Sequence, residues 1–275
     1  MNIVLQALPV RFIFVKNNDS LPRLTPIGVP FIEIGTVDSS NNYAMRQIQA
    51  QMAEHGTVYF AHYQTNGKGQ RGKIWNAQPG DNIILSCILE PNALSIDNKF
   101  VISAFIALAC FDFCTMLVKD DMSIKWPNDI YWKDRKAGGI LIENVLQGKN
   151  WKYTVAGIGL NINQTLFSDE LSNPVSIKQI TGKEYSPIIL AKELCHYLNV
   201  RWKMLLNAKQ DQLLQEYNSH LYKLSEMNTF KMDQNYFTAK VKGVNQQGEL
   251  IIDNGKESAI PHGVVEWVLP TPDKI

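Results

Sequence analysis

Residues 100–118 constrain the fold of this chain more than any other stretch, because they form an apolar run in which Asp112 carries the one charge. A run of this length could cross a membrane as a helix. One aspartate near its centre would cost about 2.5–3.5 kcal/mol in a bilayer, and no second run of this kind occurs in the sequence. We therefore predict a helix buried in a soluble core. Cys110 and Cys114 lie four residues apart on it, and we expect them to pack as small apolar side chains.

The composition indicates a soluble globular protein. Apolar residues make up 45% of 275 residues, which is enough for one large core and a small second domain. The formal net charge is +1, so any anion binding has to be local. The four cysteines fit neither a zinc pattern nor a disulfide framework, and the five histidines are scattered. Arg11 and Lys16 interrupt the apolar residues near the N-terminus, so we predict no signal peptide and a cytoplasmic location.

The hydrophobic pattern predicts an α+β fold with a mixed sheet and flanking helices. Prolines crowd residues 1–30, which predicts an extension. Strands are predicted at 31–36, 57–63, 82–90, 123–126, 130–133, 139–146 and 153–163. Helices are predicted from about Asp38 to Ala53 and at 100–118, 187–206 and 209–221. Short strands then follow at 229–232, 236–244, 249–253, 257–261 and 264–268, which is the pattern of a small β-barrel.

Residues 125–143 contain the most informative chemistry in the sequence. A Pro-Asn-Asp turn at 127–129 lies between two aromatic-rich runs, and Lys136 leads into the Gly138-Gly139 pair. The corner thus combines an amide, a carboxylate and the ammonium groups of Lys125 and Lys136 with a backbone that a ligand can approach closely. Such a corner could hold a small anion, a magnesium ion and a phosphate together. It predicts nucleotide-dependent activation of a carboxylate.

A glycine-rich loop at residues 64–81 supplies more positive charge. Its segment 67–73 matches G-x-G-x-x-G and nearly matches G-x-x-x-x-G-K-[ST]. Both patterns fail on context, because Ile74 replaces the magnesium-binding hydroxyl and Pro79-Gly80 leaves no room for a helix. We interpret the loop as a cationic lid over a polyphosphate, with a solvated hairpin tip as the alternative. Its cations are Lys68, Arg71 and Lys73.

Together these motifs resemble those of biotin–protein ligases, also named biotin–[acetyl-CoA-carboxylase] ligases. The resemblance runs from about Phe31 to the C-terminus, and it is specific because five motifs occur in the same order. The motifs are Asp38-Ser39-Ser40-Asn41, Gln64 to Trp75, Lys125-Trp126-Pro127-Asn128-Asp129, Arg135 to Leu141, and Gly157-Ile158-Gly159-Leu160-Asn161. The proline-rich residues 1–30 offer no helix-turn-helix, so the chain resembles monofunctional members and DNA binding is not expected.

The resemblance implies a catalytic domain at 31–226, similar to the core of class II aminoacyl-tRNA synthetases, and an SH3-like barrel at 227–275. It implies that biotin attacks the α-phosphate of ATP, with Mg²⁺ bound, to give biotinyl-5′-AMP and pyrophosphate. A lysine of a biotin carboxyl carrier protein, or of the carrier domain of a biotin-dependent carboxylase, then displaces AMP. The resemblance implies no membrane partner and leaves a homodimer open.

The resemblance also implies a role for each matching residue. Those implied for biotin are Ser39, Ser40, Asn41, Gln64, Gly67, Lys68, Lys136, Gly139, Ile140, Gly157 and Gly159. Those implied for ATP and the adenylate are Lys68, Gln70, Arg71, Lys73, Trp75, Lys125, Asn128 and Asn161, with Trp75 covering the adenine. Lys136, Lys68 and Arg71 are the implied catalytic residues, and Asp129 is the implied metal ligand.

Several residues of the five motifs also have structural explanations that the sequence leaves open. Asp38 or Ser39 could cap a helix, Asn161 could satisfy backbone groups at a strand end, and Trp126 could be a core aromatic. Lys136 has no such packing explanation. The loop also departs from the arginine-rich pattern of the family, because Gln70 carries no charge. That departure predicts looser retention of the adenylate.

Two other functions remain compatible with the sequence. A lipoate–protein ligase would use the same fold and the same acyl-adenylate chemistry. A biotin-binding protein without catalysis would need the pocket alone. The sequence identifies no general base for an incoming lysine.

Overall fold

The computed structural model describes residues 25–91, 94–148, 150–169, 171 and 173–269, so most of the predicted extension lies outside the described residues. A seven-stranded sheet forms the larger part. Its strands are β1 (Phe31–Val37), β2 (Val58–Gln64), β3 (Ile83–Leu89), β4 (Met122–Lys125), β5 (Asp129–Trp132), β6 (Arg135–Gln147) and β7 (Asn150–Leu160). The strand order is β1-β2-β3-β7-β6-β5-β4, in which β1 and β2 are parallel and the other neighbours antiparallel. This is the mixed sheet that the sequence predicts.

The parallel pair β1–β2 needs a crossover, and helix α1 (Ser40–Gln49) provides it. Ala44 of this helix is buried against Tyr59, Ile88 and Val155 on the sheet. The predicted end near Ala53 is wrong, because Gln51 adopts a left-handed φ of 60° and stops the helix. The first residues of α1 are thereby fixed on one face of the sheet.

The predicted buried helix is confirmed as α2 (Phe100–Val118). It is the one helix in the described ranges that is long and apolar enough to span a bilayer, and most of it is enclosed by protein. It packs between the sheet and two further helices, α4 (Pro187–Leu206) and α5 (Gln210–Ser219). Its one charge is paired, since both oxygens of Asp112 accept from Arg201, at 2.7 and 3.0 Å.

The cysteines are free and buried, as expected for packing residues. Burial raises the pKa of Cys114 to about 12, so its thiol stays neutral at physiological pH. A short helix, α3 (Ile177–Thr181), was not predicted. It joins the end of β7 to α4 and begins with a capping box formed by Ser176 and Gln179.

The C-terminal part forms a separate five-stranded antiparallel sheet. Its strands are β8 (Met227–Met232), β9 (Asn235–Val244), β10 (Leu250–Asp253), β11 (Glu257–Ile260) and β12 (Glu266–Trp267). Their order is β11-β10-β9-β8-β12, and the last strand is shorter than predicted. Phe230, Val241 and Leu250 join the main core. The Asn218 side chain of α5 bonds both the N–H and the C=O of Val244, which fixes this sheet against the larger part.

Candidate functional site

A buried network of neutral polar groups holds the start of α1 on the sheet. Ser86 Oγ on β3 lies 2.5 Å from Asn41 Oδ1 and 2.8 Å from Ser40 Oγ. An amide oxygen can only accept, so Ser86 donates to Asn41 and Ser40 donates to Ser86. The backbone N–H of Ser40 donates to Gln64 Oε1 at 2.6 Å. The network joins α1, β2 and β3 in one fixed arrangement.

Asn41 extends this network across the sheet to β6. Its Nδ2 donates to Glu143 Oε2 at 2.8 Å. A Cβ atom on Gly157 of β7 would lie 2.3 Å from Asn41 Oδ1. The missing side chain at Gly157 therefore makes room for the Asn41 amide, whereas the sequence suggested a bare backbone facing a ligand.

The residues before α1 are arranged differently from the predicted cap. Ser39 occupies the N-cap position and is buried, but its hydroxyl makes no capping bond. The carboxylate of Asp38 accepts from Asn42 and from both terminal nitrogens of Arg46. The Arg46 guanidinium holds the pKa of Asp38 well below its usual range. Asp38 is therefore a paired carboxylate that precedes the cap.

The opposite end of the site is cationic. Lys136 Nζ lies 2.7 Å from Asp129 Oδ1. Burial lowers the pKa of the neighbouring Lys125 to about 8; Asp129 opposes this effect, and the charges of Lys136 and Lys73 add to it. Lys125 and Lys136 thus lie near one carboxylate, and Lys73 adds a third positive charge to the surroundings of Lys125. This excess of positive charge favours a bound anion.

Lys125 is enclosed by aromatic rings. Its Nζ lies 5.3 Å from the ring centroid of Tyr131 and 5.5 Å from that of Trp267 on β12. The negative faces of these rings partly replace the water that the ammonium loses on burial. Trp267 is a site neighbour that the sequence did not indicate.

Hydrogen bonds between the β4–β5 hairpin and β6 fix the positions of Asp129 and Lys136. The Asn128 side chain donates to the Ile140 carbonyl, and the Ile140 N–H donates to the Asn128 carbonyl at 2.9 Å. A bulge between Ile130 and Tyr131 places Gly139 opposite Asp129. A Cβ on Gly139 would lie 3.3 Å from Lys136 Nζ. Asn128 thus holds the corner together, and Gly139 leaves space for the ion pair.

The backbone of Lys136 is clamped by the segment after β7. Its N–H donates to Asn173 O at 2.6 Å, and its carbonyl accepts from the Val175 N–H at 2.9 Å. Asn161 is buried and its Nδ2 donates to Val175 O at 3.1 Å. Asn161 therefore satisfies backbone groups at a strand end, the structural alternative left open by the sequence, and supports the clamp on Lys136.

The glycine-rich loop forms a narrow hairpin. The Trp75 N–H donates to Gly67 O at 2.9 Å, and the Gly69 N–H donates to Lys73 O at 2.7 Å. A Cβ on Gly67 would lie 2.2 Å from Trp75 O, so glycine lets the neck of the hairpin close. Lys68, Lys73 and Arg71 are exposed, and Arg71 sits at the tip with a left-handed φ of 55°.

Trp75 lies over Gly159, in the middle of the site. A Cβ on Gly159 would lie 2.6 Å from two carbons of the indole ring. Lys136 Nζ is 6.0 Å from the ring centroid. The indole Nε1–H is buried and has no acceptor among the described residues. An unpaired donor beside an ammonium group suits an anionic oxygen of a ligand.

The structure thus divides the predicted residues into a neutral end, a cationic end and a middle region between them. Ser40, Asn41, Gln64 and Gly157 form the neutral end. Lys125, Asp129, Lys136 and Lys73 form the cationic end. Trp75 and Gly159 lie between them, and Ile140 is buried where β6 pairs with β7. Half-buried Gln70 and exposed Lys68 stay with the loop, and the guanidinium of Arg71 lies against Gly263 of the C-terminal sheet.

Sequence reasoning missed Ser86, although a signal was present. It is the one hydroxyl residue in the otherwise apolar strand Ile83–Leu89. A polar group inside such a strand needs a buried partner. The lone serine in this strand therefore indicates a buried hydrogen-bond network at Ser86.

Within the described residues, no three side chains of His, Cys, Asp or Glu come together as a metal site. Magnesium is usually held by one or two carboxylates together with substrate phosphates. Asp129 fits that requirement, because its ion pair with Lys136 uses Oδ1 and leaves Oδ2 as the oxygen for a metal.

Part of the chain is similar to known proteins. Residues 34–161 match the model of the biotin/lipoate A/B protein ligase family. The bifunctional ligase/repressor BirA of Bacillus spizizenii is 30% identical over 151 residues, which cover 54% of this chain and 46% of that protein. BirA of Bacillus subtilis is 26% identical over 223 residues, covering 79% of this chain and 68% of that protein. The match to the first of these relatives thus spans about half of its length.

A solved structure extends the likeness to the whole fold. The biotin protein ligase from Aquifex aeolicus, in complex with biotin and ATP, superposes with a TM-score of 0.73 at 22% identity. The superposition covers 87% of this chain and 99% of that one. At this identity the likeness shows the fold, which is the predicted mixed sheet with helices and a C-terminal β-rich part.

Proposed function

We propose, from the premise that residues 34–161 are a domain of the biotin/lipoate A/B protein ligase family, that this chain joins biotin to a lysine of a carrier protein at the expense of ATP. The two-ended site is the observation that supports this most. Biotin is largely apolar, with a neutral polar ring at one end and a carboxylate at the other. A neutral network facing a cationic cluster across an indole ring matches that distribution.

In the first step a carboxylate oxygen of biotin bonds to the α-phosphorus of ATP, and the bond from that phosphorus to pyrophosphate breaks. The two reactants repel each other, since both are anions. Lys136, Lys125 and Lys73 offset this repulsion and stabilise the charge on the phosphorus oxygens. When bound, Mg²⁺ would neutralise phosphate charge, with Asp129 as its protein ligand.

In the second step the neutral amine of the carrier lysine bonds to the acyl carbon, the bond from that carbon to the phosphate oxygen breaks, and AMP and a proton are released. Nothing in this scheme requires a covalent enzyme intermediate, so a nucleophilic serine or cysteine is not needed. The mixed anhydride has to be kept from water. Trp75 over Gly159 supplies an apolar wall for that purpose.

We assign residue roles on the same basis. Ser39, Ser40, Asn41, Gln64 and Gly67 belong to the ring end of biotin, where Gly157 leaves space for the Asn41 amide. Ile140 belongs along the chain of biotin, with Gly159 under Trp75 and Gly139 beside the Lys136–Asp129 pair. Lys136, Lys68 and Arg71 act on the reacting groups. Lys73, Gln70, Lys125, Asn128, Asn161 and Trp75 belong to the adenylate side. Asn128 and Asn161 would act by holding the corner and the Lys136 clamp.

The domain assignment follows the same proposal. Residues 31–226 form the catalytic domain, and residues 227–275 an SH3-like domain. We further propose a cytoplasmic enzyme whose partner is the biotin carboxyl carrier protein or domain of a biotin-dependent carboxylase.

The test is a mass measurement on a biotin carrier domain incubated with the protein, biotin and MgATP. We expect one carrier lysine to gain the mass of biotin minus water. Tight biotin binding without any mass gain would instead support a binding protein.

The family match also covers lipoate ligases, so lipoate is the second candidate substrate. Lipoate has no ureido ring, so it would place an apolar dithiolane ring against the polar Asn41–Ser86 network. A parallel reaction with lipoate decides between them, and labelling by lipoate alone would replace the biotin proposal.

A further inference from the structure

We propose that the turn 261–264 of the C-terminal sheet positions Arg71, so that this sheet forms the outer wall of the phosphate end of the site. The inference rests on the proposed function in one respect, that Arg71 acts on ATP. The turn joins β11 to β12 and belongs to none of the five sequence motifs that resemble the ligases.

The first observation is a close approach between Arg71 and Gly263. A Cβ atom on Gly263 would lie 3.0 Å from Cζ and 3.1 Å from Nη1 of Arg71. The guanidinium therefore packs on bare backbone, which a side chain at position 263 would block. Gly263 has a φ of 87°, a conformation that also favours glycine.

The second observation is the backbone of Arg71 itself. Its φ of 55° and ψ of 39° lie in the left-handed region, which is unfavourable for a residue with a side chain. Such a conformation persists when surrounding contacts over-determine it. The contact with Gly263 is a contact of this kind, and it comes from the other sheet.

The third observation is that the same turn is fixed against the hairpin motif. The His262 ring makes an edge contact with Trp126 at 5.8 Å between centroids. The Trp126 indole N–H donates to Gly248 O of the C-terminal sheet at 2.9 Å. Trp126 follows Lys125, whose ammonium lies 5.5 Å from the Trp267 ring centroid. The C-terminal sheet thus contacts both cation-bearing segments of the site.

These contacts give the C-terminal sheet a defined task in the reaction. An exposed arginine samples many rotamers, and docking it on a rigid turn restricts them. Arg71 is then held ready for phosphate while the neutral end, which contacts α1 and β3, is unaffected. The turn should therefore influence ATP and leave biotin binding unchanged.

The test compares Gly263→Ala with Gly255→Ala. Gly255 also lies in a turn of the C-terminal sheet with a positive φ, 101°, but a Cβ there would meet open space. Both variants place an alanine at a positive φ, and Gly263→Ala also displaces the Arg71 side chain. We expect Gly263→Ala to raise the KM for ATP about tenfold, a change of about 1.4 kcal/mol, with the KM for biotin unchanged. Gly255→Ala should match the wild type in both.

A double variant separates positioning from a general structural effect. If the turn acts through Arg71, adding Gly263→Ala to Arg71→Ala should change the KM for ATP by less than about twofold. A full additional tenfold loss would overturn the proposal. So would equal losses in the Gly263 and Gly255 variants.

Trypsin cleavage after Arg71 tests the docking without any catalysis. We expect faster cleavage there in Gly263→Ala than in wild type or Gly255→Ala; equal rates would overturn the docking. If Gly263→Ala does not fold, His262→Ala loosens the same turn without adding strain and should show the same pattern. Wild-type protein that releases no pyrophosphate with biotin and MgATP would refute the proposed function, whereas the cleavage rates would still decide the docking.

Discussion

The neutral and cationic ends of the site are built on opposite principles. At the neutral end Ser86, Asn41 and Ser40 find their hydrogen-bond partners inside the protein. At the cationic end Lys136 pairs with the carboxylate of Asp129, and Lys125 and Lys73 add two further positive charges. The protein therefore completes the first end by itself and leaves the second to be completed by an anion. A buried polar network that is fully paired adds rigidity, whereas clustered like charges weaken the folded state.

The difference leads to opposite expectations for substitutions. Disturbing the neutral end should lower stability together with biotin binding. Removing a cation from the other end should lower activity and leave stability equal or higher. The following predictions test this contrast, beginning with the largest expected effect.

Lys136→Ala should abolish most adenylation while the fold is retained. Removing one group that stabilises developing charge typically lowers the rate about 10²–10³-fold. We expect a loss of that size in biotin-dependent pyrophosphate release. The thermal unfolding midpoint should change little, because Lys125 remains beside Asp129. A large fall in the midpoint would contradict the contrast between the two ends.

The buried ammonium of Lys125 should reduce stability at neutral pH. Its pKa is lowered to about 8 in the folded protein, below its ordinary value of 10.5. Between these values the unfolded chain binds the extra proton, so the free energy of unfolding rises with pH. Relative to Lys125→Met, the wild type should gain up to about 3 kcal/mol across that window, at about 1.36 kcal/mol per pKa unit. Denaturant unfolding from pH 7 to 10.5 measures this difference.

The same titration should act on the nucleotide in the opposite direction. Affinity for ATP should fall as pH rises through 8 in the wild type, because the ammonium that attracts phosphate is lost. A flat difference in unfolding free energy between wild type and Lys125→Met would show that Lys125 is not strained by its burial.

Gly157→Ala should damage the neutral end through packing. The new methyl group would lie 2.3 Å from Asn41 Oδ1. Overpacking of this kind typically costs about 1–3 kcal/mol, and we expect biotin affinity to fall with it. Gly35→Ala on β1 is the matched control, since a Cβ there meets nothing within 4 Å. Equal destabilisation by both variants would mean that replacing a glycine in a strand causes the effect, without any contribution from crowding of Asn41.

Gln70→Arg should give the smallest effect, by adding one charge to the loop tip. An arginine there can form a bidentate contact with phosphate. We expect slower release of biotinyl-AMP and an unchanged unfolding midpoint. Trapping the released adenylate in wild type and variant gives the rates. Identical rates would mean that position 70 plays no part in retention.

Features specified by neighbouring residues could be predicted from the sequence. Helix α2 follows from its unbroken apolar run, and the β4–β5 hairpin follows from its Pro-Asn-Asp turn. The sequence pattern predicts that β6 begins at Gly139, but the strand begins at Arg135. Its first residues pair with β5, and Lys136 also pairs with residue 174, a long-range contact without a local pattern. The capping box of Ser176 and Gln179 is a local signal from which helix α3 could have been predicted.

The candidate site divides in the same way. The gathering of Lys125, Asp129 and Lys136 follows from one short segment of sequence. The partners of Asn41 are 45 and 102 residues away, so the role of Gly157 as space for its amide could not be predicted. The meeting of Arg71 with Gly263 depends on how two sheets are packed.

Strand β6 connects the two ends, with Lys136 near its start and Glu143, which accepts from Asn41 of the neutral end, further along. The spacing between them is therefore measured by backbone rise, at about 3.4 Å per residue. Deleting one residue between them would shorten this distance and turn every following side chain to the other face of the sheet. The number of residues between the two ends therefore sets the length of ligand that can contact both of them.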